Sequence, residues 1–292
     1  MIVGFEPGGG TDILSRIVGQ KLTERWGQSV ITENRPGGSG ILSLDLVQQA
    51  NPDGYTILVA ANSLLSTTGI LKKVKYDVQK AYAPIVQMTV QPYLLAVQTS
   101  LPVTTVKDLI AYAKANPDKL NYGSSGTGSA AHLGMELFKD MSGAEGIVHI
   151  PFKGSGQALT ALVGGQIQVA LTGIVSGMPQ ARNGKLKALA TTGAKRLQAQ
   201  PDLPTVAEGG LPGYELSNTY GLLAPAGTAP AILLAFNREV SQIVNSDELR
   251  AKLAADGSEP SPPNTPDQYR ESLAKEIAKW ERLVKTTGIK ME

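Results

Sequence analysis

The sequence contains no cysteine and only two histidines, His132 and His149. Disulfides, thiolate chemistry and cysteine-based zinc sites are thereby excluded, and so is a histidine-rich metal centre. The absence of cysteine does not by itself fix a compartment. Aromatic residues make up 5% of the chain and charged residues 18%, and the formal net charge is only +2. That balance, with no run of Lys or Arg, argues against nucleic acid as a partner. No uninterrupted apolar stretch reaches the roughly 18 residues that a membrane helix requires. The most apolar window, Leu222–Phe236, is broken by Pro225, Gly227 and Pro230. No signal peptide is visible. The chain opens inside a strand-like run, Ile2-Val3-Gly4-Phe5, a beginning compatible with a processed or truncated N-terminus.

What is present narrows the class further. Hydrophobic residues reach 42%, too many for a disordered chain. The 32 glycines are clustered rather than spaced by three, which excludes collagen, and the composition is not that of a coiled coil. A length of 292 residues predicts one to two domains with a core large enough to need neither disulfides nor metals.

Short β-branched runs alternate with small-residue turns and longer amphipathic stretches. Ile2–Phe5, Val30–Glu33, Thr56–Ala60, Asn121–Ser124, Ile147–Phe152, Gln168–Thr172, Leu186–Thr192 and Tyr220–Ala224 read as strands, with another inside Pro92–Gln98. Asp12–Trp26, Gly40–Ala50, Thr105–Asn116, Ser129–Met141 and Gln157–Gly164 read as helices. Thr105 and Asp108 stand at capping-box spacing, as do Thr265 and Gln268. The tail changes character: Ala231–Val244, Asp247–Ala255 and Pro266–Thr287 are helices with little strand between them. This alternation predicts an α/β fold with two largely parallel sheets. Linkers near Gln98–Pro102 and Glu215–Tyr220 divide it into a first domain of residues 1–98 and 220–292 and an inserted second domain of residues 99–219.

Three loops share one form, a strand end followed by small residues and a helix start. They are Glu6-Pro7-Gly8-Gly9-Gly10-Thr11-Asp12, Gly123-Ser124-Ser125-Gly126-Thr127-Gly128-Ser129 and Lys153-Gly154-Ser155-Gly156-Gln157. Such a loop presents backbone N–H groups at a helix N-terminus, where the dipole adds partial positive charge, and glycine lets a ligand approach the main chain. It suits a carboxylate or phosphate without any Arg or Lys. Each loop alone also has a plainer reading, a sharp turn that caps a helix; the joint occurrence of three favours an anion site.

Enzymatic readings find less support. There is no Walker A sequence and no Gly-x-Ser-x-Gly elbow. Gly126–Ala131 matches a relaxed dinucleotide fingerprint, but the acidic residue at about the right distance, Glu145, precedes the next strand instead of ending it. No nucleophile is paired with a base, and no cofactor is implied. His132 stands in the first turn of its helix, either facing a ligand as a donor or capping and packing. His149 alternates with Val148 and Ile150 and reads as structural. Asp12 reads as a first-turn residue matched to the helix dipole. Glu6 either contacts a ligand ammonium or points to solvent.

The order of motifs resembles the Bug family of bacterial extracytoplasmic solute receptors, the binding proteins of tripartite tricarboxylate transporters. The residues that carry the resemblance are Phe5–Asp12, Glu33–Gly37, Pro52–Thr56, Leu120–Leu133, His149–Gly154, Leu203–Glu208 and Gly221–Thr228, spread from Ile2 to the C-terminus. The resemblance implies a type 2-like periplasmic binding protein, two α/β domains joined by a two-strand hinge with a ligand cleft between them. It implies a small carboxylate or dicarboxylate ligand, integral-membrane transporter subunits as partners, a monomer, and no catalysis or metal. One ligand carboxylate would be held by the loop from Phe5 to Asp12, chiefly at Gly9, Gly10 and Thr11, through main-chain groups and ordered water. The other domain would contribute Ser125, Gly126, Thr127, Gly128 and Ser129, with His132 nearby. Glu6, Asn62, Ser63, Gly173, Ile174 and Tyr220 would set ligand choice, and Glu6 stands where the family often has Pro or a small residue. A sensory module that signals to a partner protein remains an alternative, and a phosphate-handling enzyme a more distant one.

Overall fold

A computed structural model describes residues 1–5, 7, 10–70, 74–152, 154–255 and 257–288. The chain divides into two compact units. The first comprises Met1–Val90, Thr219–Leu253 and Glu259–Arg282; the second comprises Gln91–Asn218, Ala254–Ser258 and Leu283–Glu292.

The first unit opens with β1 (Ile2–Val3), α1 (Gly10–Trp26), β2 (Glu33–Asn34), α2 (Ile41–Gln48), β3 (Leu58–Ala61), α3 (Asn62–Ile70), α4 (Val78–Ala81) and the first half of β4 (Tyr82–Val97). The second unit takes the rest of β4 and continues with α5 (Val106–Ala115), β5 (Leu120–Ser124), α6 (Ala130–Ser142), β6 (Ile147–Pro151), α7 (Ser155–Val163), β7 (Val169–Gly173), α8 (Ile174–Arg182) and β8 (Lys187–Thr191). The chain returns through β9 (Ser217–Pro225), α9 (Pro230–Val244), α10 (Asp247–Ala255), β10 (Glu259–Pro260) and α11 (Pro266–Thr287). None of the described helices is long and apolar enough to cross a membrane.

Both faces of the first unit's sheet are covered, and the strand alternation shows how. Val3, Ile57, Val59, Leu222 and Ala224 pack on one side with Leu14, Val18 and Leu22 of α1 and Val240 and Ile243 of α9. Their immediate neighbours Ile2, Leu58, Ala60 and Leu223 pack on the other with Leu44, Leu65, Tyr269 and Leu273. Successive strand residues point to opposite faces, so a sheet with helices on both sides reads as continuous apolar runs. Tyr269 lies so close to β9 that a Cβ at residue 221 would stand 2.1 Å from its hydroxyl, which is why Gly221 interrupts that strand. In the second unit Leu94, Ala96 and Ala170 pack against Leu162 and Ile174.

The sheets are less parallel than the alternation predicts. β1 pairs in parallel with β2 and β3, and β5 with β6 and β7. However, β9 runs antiparallel to β3, and β4 runs antiparallel to β7, β8 and β10. Periodicity reports element type and says nothing of strand direction. β4, with 16 residues, is more than twice as long as the strand expected inside Pro92–Gln98. Pro92 breaks the pattern in the sequence, yet it falls between Val90, paired to β10, and Tyr93, paired to β7, where its missing N–H costs neither ladder a bond. Two further helices, α3 and α8, begin at the residue after a strand ends, so that Asn62-Ser63 and Gly173 read in the sequence as turns closing a strand and not as helix starts. Where caps are written in the sequence, the termini agree. Thr105 Oγ1 accepts from Asp108 N and Asp108 accepts from Thr105 N, and the same exchange joins Thr265 and Gln268.

Candidate functional site

Ligands of open α/β sheets bind beyond the carboxyl ends of the strands. In the first unit the register Ile2↔Leu58 and Val3↔Val59 sets the exit of β1 beside the exit of β3. The same pairing scheme puts Tyr220 opposite Ala61. Phe5, Thr11 and Asp12 after β1, Asn62 and Ser63 after β3, and Tyr220 on β9 therefore share one end of the sheet. Glu6 and Gly9 lie outside the described residues. Gly10 opens α1, so the N–H groups of that first turn have no acceptor within the helix.

A clamp of polar side chains holds this end. Asp12 is buried, and its two carboxylate oxygens take Arg16 at 3.0 and 3.1 Å and the Asn34 amide at 3.0 Å. The same Asn34 Nδ2 donates to the Phe5 carbonyl at 3.0 Å, tying the start of the loop to the helix that follows it. Arg16 closes the ring on Asn34 Oδ1. The Asp12–Arg16 spacing of four was legible in the sequence; Asn34, from another strand, was not. Asn62 is fully buried, accepting from the Tyr269 hydroxyl at 2.7 Å and donating to Glu276 at 3.1 Å, so its side chain fixes α11 against β3. Thr11 is buried, Phe5 is exposed, and Ser63 and Tyr220 are half-buried.

In the second unit β5, β6 and β7 run parallel, and Ser125–Ser129, Gly154 and Gly173–Ile174 follow their carboxyl ends. Lys153 lies outside the described residues. Gly173 precedes α8 and its carbonyl accepts from Ser176, while Ile174 is buried. The loop after β5 is the most completely determined. Ser129 caps α6, its hydroxyl accepting from His132 N at 3.3 Å. Gly126 and Gly128 have φ of 123° and 78°, conformations that favour glycine. Three loop N–H groups are already committed: Gly126 to Ser124 Oγ, Ser129 to the Gly126 carbonyl and Gly128 to His132 Nδ1. The N–H groups of Ser125, Thr127, Ala130 and Ala131 have no acceptor among the described residues. Clustered at a helix N-terminus, such groups suit an anion.

Behind the loop three rings stack. His132 lies on His149 at 4.1 Å and His149 on Tyr122 at 4.8 Å between ring centroids, the ring planes nearly parallel. Tyr122 and His149 are direct partners in the β5–β6 ladder. Tyr122 donates to Glu136 at 2.6 Å, and Glu136 also takes Lys139 at 2.9 Å. Burial lowers His132 below the ordinary imidazole value, with Glu136 pulling it up and Lys139 down. Burial and the neighbouring His132 ring bring His149 down to about 4. Both rings are therefore neutral at pH 7. Because His132 Nδ1 accepts from Gly128, its proton sits on Nε2. His149, read from the sequence as structural, lies against Ser124, Tyr122 and His132, partners that were not visible in the sequence. The signal that existed was the alternation placing Tyr122 and Ser124 on one face of β5. A groove of about 640 Å³ on the first unit, around Trp26, Tyr55 and Phe236, holds none of the predicted residues and sits at the amino ends of β1 and β3. Ligands of open α/β sheets bind at the opposite, carboxyl ends of the strands, so the strand-end loops are the better candidate.

Two α/β units with small-residue loops at the carboxyl ends of their strands define the class, a solute-binding protein of the periplasmic type 2-like fold. Residues 14–289 match the "Tripartite tricarboxylate transporter family receptor" family, and the chain belongs to it. BugT of Bordetella pertussis is 34% identical over 294 residues, covering 100% of this chain and 90% of that one. Among solved structures, Rpa4515 of R. palustris with adipate is 37% identical with a TM-score of 0.81, covering 99% of this chain and 96% of the other. MatC of Rhodopseudomonas palustris with bound malate is 31% identical with a TM-score of 0.77, covering 97% of each.

Proposed function

We propose that this chain is a periplasmic receptor that binds a small carboxylate or dicarboxylate and delivers it, as a monomer, to the membrane subunits of a tripartite tricarboxylate-type transporter. The observation that carries the reading is the end of β5 and start of α6, where four N–H groups without an acceptor among the described residues cluster as an anion would require. The adipate and malate bound by the two similar solved proteins support the ligand class. In this reading Gly9, Gly10 and Thr11 hold one carboxylate, and the loop of Ser125–Ser129 receives the other end of the ligand. Phe5, Asp12, Asn62, Gly173 and Ile174 shape the site from behind, while Glu6, Ser63 and Tyr220 meet the part of the ligand between its ends. The cleft between two domains is the place that the family resemblance implies for it.

Calorimetric titration with adipate, malate, aspartate and benzoate tests the proposal. One or more diacids should bind, and the unfolding temperature should rise with ligand concentration, the gain reaching about 2.7 kcal/mol at a hundredfold excess over Kd. Neither heat nor thermal shift with any of the four acids would overturn it.

A further inference from the structure

We infer that His132 and His149 are positioning residues, two neutral imidazoles that hold the loop of residues 124–129 in its anion-receiving form. The inference rests on the receptor reading above and concerns how the receptor is kept ready.

The hydrogen bonds of the loop show what the rings do. His132 Nδ1 takes the Gly128 N–H at 3.0 Å, and only an unprotonated nitrogen can accept it. On the other side, Ser124 Oγ lies 2.7 Å from His149 Nε2, 3.0 Å from the Gly126 carbonyl and 3.2 Å from Gly126 N. The hydroxyl has one proton. With that proton on the Gly126 carbonyl, the Gly126 N–H and the His149 Nε2–H both donate to its oxygen. Each glycine of positive φ is thus tied to one histidine, Gly128 directly and Gly126 through Ser124, and the rings are locked by stacking on one another. What remains unspent are the N–H groups that a carboxylate would use.

Among the described residues, the charged and titratable groups facing the rings are Tyr122 from β5 and Glu136 and Lys139 from α6. Glu136 is spent on Tyr122 and Lys139, and Lys139 opposes its pull on both rings, so burial decides the outcome. Protonation of His132 would put a donor against the Gly128 N–H and break the bond that shapes the loop. Ligand capture should therefore weaken as the pH falls through the His132 titration, below the ordinary value of 6.5.

The experiment begins without ligand. Nitrogen-resolved NMR of the free protein should show His132 Nδ1 unprotonated at pH 8 and the Gly128 amide resonance moving with the His132 titration. A protonated Nδ1 at pH 8, or a Gly128 amide indifferent to that titration, overturns the inference. Affinity for malate and adipate is then measured between pH 8 and pH 5. His132→Phe keeps a ring in the stack and removes the acceptor; it should bind about tenfold more weakly at pH 8, the effect of one buried N–H left unpaired. His132→Asn offers an oxygen that cannot be protonated. It should retain more affinity than His132→Phe at pH 8 and lose less than the unsubstituted protein as the pH falls, a difference independent of the ligand's own titration. His132→Phe with unchanged affinity and pH profile overturns the inference. An unsubstituted protein that binds no acid overturns the receptor reading instead, and the ligand-free spectra still decide whether the imidazoles hold the loop. Should His132→Phe fail to fold, the spectra and His132→Asn carry the test.

Discussion

The loop after β1 and the loop after β5, which the proposed function assigns to the two ends of the ligand, are held in place by opposite chemistry. In the first unit, the loop after β1 is braced by charge: a buried carboxylate, Asp12, holds the guanidinium of Arg16 and the amide of Asn34. In the second unit, the loop after β5 is braced by neutral groups, Ser124 and the stacked His132 and His149. The two braces differ in what disturbs them. A carboxylate–guanidinium clamp responds to loss of either charge, whereas a neutral imidazole acceptor responds to gain of one.

The largest expected effect tests the first loop itself. Gly10→Asp sets a negative charge where a ligand carboxylate should sit, at a helix N-terminus that tolerates acids well. Acid binding should disappear from calorimetry while the circular dichroism spectrum is retained; unaltered affinity would remove the first loop from the site. Next in size is the clamp. Asp12→Ala leaves a buried hydrogen-bond network without its centre and should cost about 1–3 kcal/mol in urea unfolding, with weaker ligand binding. A variant as stable as the parent would mean that the brace is decorative.

The neutral brace makes a smaller, pH-dependent signature. His149 titrates at about 4 in the folded protein against an ordinary 6.5. The unfolded chain therefore binds more protons within that window, and stability should fall as the pH drops from about 6.5 towards 4. Below the folded value this group contributes no further loss. Comparing melting temperatures with those of His149→Asn isolates the effect from carboxylates that titrate nearby; parallel curves for the two proteins would refute it. The smallest effect is a control on which the units should not differ. Thr105→Ala in the second unit and Thr265→Ala in the first each remove one half of a capping box, and each should cost about 1 kcal/mol. A much larger loss in one of them would show that the two units do not share a common stability.

Much of this is legible in the sequence alone. The three glycine-rich loops, the capping boxes at Thr105 and Thr265 and the three tail helices are local patterns, and the structure keeps those of them it describes. α3 and α8 escaped because the small and polar residues at their starts, Asn62-Ser63 and Gly173, mark the end of a strand without showing that a helix follows at once. The antiparallel course of β4 and β9 escaped because alternation has no direction. Asn62 reads as a polar residue at a strand end and so as a candidate ligand contact. Its commitment to Tyr269 and Glu276, more than 200 residues away in the chain, is a contact that no local pattern encodes.

The sequence by itself determined the materials of the site: small residues at strand ends, few charges, no thiol and two histidines. Those follow from composition and short-range spacing, which the chain carries whether folded or not. Only the tertiary structure decided which backbone N–H groups of the second loop are spent and which remain. That choice depends on His149 of β6 reaching Ser124 of β5 and stacking on His132 of α6, an arrangement set by packing three separate elements rather than by the order of their residues.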